Sequence, residues 1–173
     1  MEAIGEFAKL LIPAGLVLYA MYLTVKSFLK KEMENKILEI RMKNTEIVMP
    51  IRLQAYERMC LFLERVNPNN MVPRLNVSSY NALEFQQILL KELREEFNHN
   101  LSQQVYMSDQ AWDLVKNAME EVIVLVNESA QGLTENSKGL ELAKVILENT
   151  LGRNIDPIAY PLKFLKDEIR EIF

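Results

Sequence analysis

The chain has 173 residues, of which 49% are hydrophobic and 25% charged, with a net charge of −4, five glycines and six prolines. That length suits one ordinary domain, or a smaller domain with an appendage, and so few glycines and prolines disfavour a loop-rich β fold or a disordered chain. The charge is uneven: the first 31 residues carry four lysines against two glutamates, which leaves −6 for the remainder and argues against a nucleic-acid partner.

From Phe7 to Val25 the only charge is Lys9. As a helix this stretch is about 28 Å long, close to the hydrocarbon thickness of a bilayer. Lys9 lies near one end, where its amine can extend to the headgroups, and Tyr19 and Tyr22 lie toward the other interface. A signal peptide would place basic residues before the apolar core, whereas Glu2 and Glu6 stand there and the lysines follow. A core helix of a soluble domain would show a polar stripe, and "LLIPAGLVLYAMYL" shows none. Residues 1–31 are therefore read as a transmembrane anchor with a basic flank. Lys26, Lys30 and Lys31, followed by Lys36, Arg41 and Lys43, put the C-terminal side in the cytoplasm by the positive-inside rule. Pro13 and Gly15 form a small-residue patch in the span, a weak sign of close helix approach.

Residues 32–50 continue as a juxtamembrane helix. Phe28, Met33, Ile37, Ile40, Ile47 and Val48 recur at helical spacing among charged residues. This stripe needs cover from the chain itself, a second copy or another protein, but it falls short of the several clean heptads that specify a coiled coil. Asn44-Thr45 is a candidate cap for a new helix, with Pro50 in its first turns. Residues 51–173 form the remaining helical domain. "IRLQAYERMCLFLERV" reads as an apolar helix, and "NPNNMVPRLNVSS" as a loop. Ser78 or Ser79 is expected to cap the helix "YNALEFQQILLKELREEFNHN", and "LSQQVYMS" is a connector. Ser108 and Asp109 open a helix that runs through the β-branched patch "VIVLV" and stops at Gly132-Leu133. Thr134 or Ser137 opens another, ending at Gly152. "RNIDPIAYP" turns the chain, and "LKFLKDEIREIF" closes it as a short amphipathic helix. The fold class is all-α: a transmembrane helix continuing into a cytoplasmic helical bundle.

No catalytic signature emerges. There is no P-loop, no dinucleotide-binding glycine motif and no nucleophile-elbow motif. With His99 as the single histidine, a multi-histidine metal site is impossible, and at a helix end this residue suits the negative pole of the dipole. Cys60, among apolar neighbours, reads as a small hydrophobe, and the acidic runs read as solvated faces. No cofactor, metal or catalytic residue is expected. Met33, Ile37 and Ile40 are the candidate partner-binding face, joined by Arg74 if the Asn/Pro loop presents it.

The span with its following lysines, "LQAYERMCLFLERVNPNNMVPRL" and "DPIAYPLKFLKDEIREIF" resemble a group of uncharacterised, short, membrane-anchored proteins of Bacteroidota, over nearly the whole chain. That resemblance implies a bacterial inner-membrane location and supplies no activity. The expected role is a non-enzymatic adaptor that binds the bilayer and either another protein or a second copy. An accessory subunit of a transporter or motor complex, and a membrane-bound enzyme without a recognisable motif, are the alternatives.

Overall fold

The protein is described by a computed structural model that covers residues 2–75, 79–152 and 156–171, with the backbone alone over 2–10. The expected positions of Lys9 and Ser78, and the 153–155 part of the predicted turn, lie outside the described side chains. The described residues are all-α: α1 (Glu2–Val66), α2 (Pro68–Arg74), α3 (Ala82–Asn100), a 3₁₀ helix (Leu101–Tyr106), α4 (Asp109–Ala130), α5 (Gly139–Gly152) and α6 (Ala159–Arg170). They divide into two compact units between Met49 and Pro50.

The first unit is helical backbone belonging to α1. The expected new cap at Asn44-Thr45 is not formed. Thr45 sits within the helix, and its Oγ1 donates back to the Arg41 carbonyl at 2.9 Å, so its hydroxyl is satisfied without a helix end. α1 also passes through Pro50, where the ring nitrogen leaves the carbonyl of Glu46 without an intrahelical donor.

The second unit is a helical bundle around one apolar core. The last turns of α1 contribute Tyr56, Met59, Phe62, Leu63 and Val66, each at most 1% exposed. This is the inward stripe that helical spacing dictates. α3 presents Phe85, Leu89 and Leu93, and α4 presents Val115, Val122, Leu125 and Val126, all buried. α5 adds Leu142 and Ile146, and α6 adds Leu165. An aromatic run crosses three helices: Phe62 lies 5.9 Å from Phe97, which stacks on Trp112 at 5.3 Å.

Caps decide several boundaries. Ser108 Oγ accepts from the Ala111 amide at 3.1 Å and starts α4 as expected. Gly132, with φ 86°, reverses the chain beyond α4, a conformation that only glycine adopts without cost. The "VIVLV" patch is helical because three of its members reach the core. Other expectations need correction. The segment read as a loop contains α2: Asn67 Oδ1 accepts from the Asn69 amide at 3.0 Å, and Pro68 stands at the first helical position, where a missing donor costs nothing. α3 is capped by Asn81, not by a serine. Asn81 Oδ1 accepts from the Glu84 amide at 2.9 Å while Glu84 Oε2 accepts from the Asn81 amide at 3.0 Å, a reciprocal capping box. α5 begins at Gly139, later than Thr134 or Ser137, because the Ser137 carbonyl and the Gly139 amide bond instead to the Ala82 amide and the Tyr80 carbonyl.

The core makes a quantitative prediction. Leu93, with 0% exposure, is expected to cost about 2–5 kcal/mol on replacement by alanine. Ser108→Ala, which removes a cap, should cost about 1 kcal/mol. Urea unfolding of the detergent-solubilised chain, followed by Trp112 fluorescence, checks both; a Leu93→Ala cost below the cap cost contradicts this packing.

Candidate functional site

From Leu11 to Val25, α1 is apolar around its whole circumference, and its large apolar side chains stand 46–67% exposed. Removing such a side chain from water is worth about 1.5–3 kcal/mol, so the segment as a whole strongly favours an apolar surrounding. The helical backbone satisfies its own hydrogen bonds, as lipid requires, except that Pro13 offers no donor to the carbonyl four residues before it. Thr24, the one hydroxyl-bearing threonine in the stretch, donates to the Ala20 carbonyl at 2.8 Å. At the C-terminal edge the Lys26 Nζ lies 5.8 Å from the centre of the Tyr22 ring, a cation–π pair of the kind suited to a headgroup region. Near the N-terminus, then, α1 is long and apolar enough to cross a membrane.

Beyond Lys31 the helix becomes amphipathic. Met33, Ile37 and Ile40 fall within a 60° arc at about 100° per residue, and they are 66%, 47% and 59% exposed. The three therefore share one uncovered face. Arg74 belongs to α2 in the second unit. Its Nη2 lies 3.1 Å from Glu92 Oε1, so the guanidinium ties α2 to α3 while keeping part of its surface in solvent. Arg65 of α1 pairs similarly with Glu96 of α3 at 2.5 Å.

A second feature lies in the bundle and has no counterpart in the sequence reading. A cleft of about 590 Å³ is lined by Ser108, Gln110, Tyr160, Phe164 and four charged residues of α6 and its end, Lys163, Asp167, Glu168 and Glu171. Behind this wall the Tyr56 hydroxyl is buried, and Glu168 Oε2 is buried beside it. Tyr56 feels Glu168, Arg52 and the Ser108 backbone electrostatically, yet neither buried oxygen completes a hydrogen bond of good geometry. Arg52 Nε donates instead to the Tyr106 carbonyl at 3.1 Å. Burial first, and the Glu168 charge second, raise the Tyr56 pKa above the ordinary phenol value. No sequence motif signals this cluster, because Tyr56 of α1 and Glu168 of α6 are far apart in sequence.

The remaining reactive groups sit in ordinary surroundings. Cys60 is half-buried, and burial pushes its thiol pKa up against the pull of Lys166, which disfavours a thiolate. His99 occupies the last turn of α3 and is exposed. The Lys91–Glu95 pair, 3.7 Å apart, is a solvated ion pair one turn apart. Among the described residues no group of three histidine, cysteine or carboxylate side chains gathers as a metal set.

The chain belongs to DUF7935, a family of unknown function, whose model matches residues 2–172. No curated protein matches it. No solved structure matches it either.

The buried phenol sets a pH dependence. A group whose pKa is raised by folding contributes stability below its unfolded value and loses that contribution as pH rises through the folded value. Above about pH 10 the wild type should therefore lose stability more steeply than Tyr56→Phe. Urea midpoints measured across that range check this, and equal alkaline slopes contradict it.

Proposed function

We propose that this chain is a non-enzymatic, single-pass protein of the bacterial inner membrane that tethers a partner at the cytoplasmic face. The observation that carries this reading is the exposed, wholly apolar circumference of α1 from Leu11 to Val25. The basic residues that follow it put the N-terminus outside and the bundle inside. Confinement to a surface raises effective concentration, so a tethered domain needs only a modest contact to hold its partner. The face of Met33, Ile37 and Ile40 supplies that contact, immediately past the span and exposed. The partner is a second copy or another protein.

A second reading, an accessory subunit of a membrane transporter or motor complex, draws on Gly15. The space around its missing Cβ is open, which would allow another membrane helix to approach closely.

The anchor is tested by partition. The wild-type chain is expected to pellet with membranes and resist alkaline carbonate. Arginine at both Val17 and Leu18, costing about 2.5–3.5 kcal/mol each at the middle of a span, should move most of it to the supernatant. In sealed inner-membrane vesicles of native orientation, a protease acting from inside should spare the bundle's C-terminus only if the topology is the reverse of the one proposed. Wild-type protein recovered in the supernatant contradicts the anchor, and a C-terminus on the external side contradicts the orientation.

A further inference from the structure

We propose that residues 29–48 of α1 form a parallel seam between identical copies of this chain, in register, just beyond the membrane. The proposal deepens the anchored reading above and rests on it for the parallel orientation.

The structure makes α1 continuous where a break was expected, with Thr45 bonded inside the helix. That continuity brings a second set of apolar positions into phase with the first. Leu29, Met33, Ile37, Ile40, Asn44 and Ile47 follow one another at spacings of three and four, and Val48 lies beside Ile47. At about 100° per residue all seven fall within a 100° arc. In heptad terms Ile37 and Asn44 take a positions, and Met33, Ile40 and Ile47 take d positions. The apolar members are 45–66% exposed.

A second copy is the occupant because the stripe complements itself. Its a positions are Lys30, Ile37 and Asn44: Lys30 stands at the membrane end, where its amine can extend to the headgroups, and Asn44 stands within the stripe. In a parallel, in-register seam the two Asn44 amides meet each other at the same depth, and each gains a donor and an acceptor. A single asparagine at a is also a device that fixes register between helices. Copies anchored in one membrane with one topology are necessarily parallel, and their spans start at the same level. They are thus aligned before they touch. This matters because the seam, about 28 Å long, is shorter than the three or four heptads that hold a coil together in free solution. Confinement in the membrane supplies the effective concentration that the length does not. Two contacts oppose association: the two Lys30 amines meet at the first a position, and Lys36 and Arg41, at g and e, face each other across the seam. Lys36 has Glu32 and Glu39 within one turn on its own helix, which softens that repulsion.

Cysteine scanning of the full chain in native membranes tests the seam. Cys60→Ala removes the native thiol, and single cysteines are placed at Ile37, Ile40 and Asn44 on the seam and at Met42 and Glu46 on the far side. Oxidation by copper phenanthroline should give disulfide-linked dimers of the chain at the three seam positions, with yields at least tenfold lower at the other two. Ile40→Asp in the Asn44→Cys background should lower that yield at least tenfold. A flat profile, a maximum at Met42 or Glu46, or cross-links solely to a different protein overturns the seam. The membrane pellet and supernatant of the same samples report on the anchor separately. Protein that pellets but shows a flat profile keeps the anchor and loses the seam, and protein in the supernatant loses the anchor that the parallel arrangement requires.

Discussion

A helix that is apolar on every side has no stable place in water. That constraint governs the first part of this protein. Between Leu11 and Val25 no face of α1 offers the solvent a polar stripe, so the helix must be surrounded by hydrocarbon or by other apolar side chains. Apart from the donor that Pro13 lacks, its backbone bonds close within the helix, and its threonine hydroxyl bonds to the preceding turn. Such a segment suits lipid, with the Tyr19 and Tyr22 hydroxyls toward one end of the stretch. The apolar stretch ends at the basic residues past Val25.

The second unit solves the same problem by a different route. There the apolar residues of α1 return to a one-sided stripe that is buried in the common core, with Phe97 of α3 against Phe62 and Glu168 of α6 beside Tyr56. The exchange is visible within one helix: apolar all round, then striped and exposed, then striped and buried. Each regime follows from how many faces carry apolar groups. The middle regime, from Leu29 to Val48, carries its apolar stripe uncovered within the chain.

Much of the fold was legible from local chemistry. Ser108 announced α4 because its hydroxyl is at hand for exposed amides, and Gly132 announced the end because the turn needs a positive φ. The errors share a cause, which is that breaker and cap residues act in two directions. Pro68 read as a loop residue, but at a first helical position its missing donor is harmless, and Asn67 completes the cap. Asn44-Thr45 read as a cap, but a threonine hydroxyl can equally bond back to the preceding turn. Asn81 won over the serines because Glu84 answers it three residues on. The exposed face of Met33, Ile37 and Ile40 was readable from spacing. Arg74 was not readable as an ion-pair partner of Glu92, since that contact depends on α2 existing. The Tyr56–Glu168 cluster and the cleft were invisible for the same reason: packing of segments distant in sequence creates them.

The surroundings of α1 are most directly measured by spin-label accessibility in reconstituted vesicles. A nitroxide at Leu18, in the middle of the span, should relax strongly with oxygen, which concentrates in hydrocarbon, and weakly with a water-soluble nickel chelate. A label at Glu39 should show the opposite ratio. Strong relaxation of the Leu18 label by the nickel chelate, or its shielding from both reagents as in a protein core, would contradict a helix held in the bilayer.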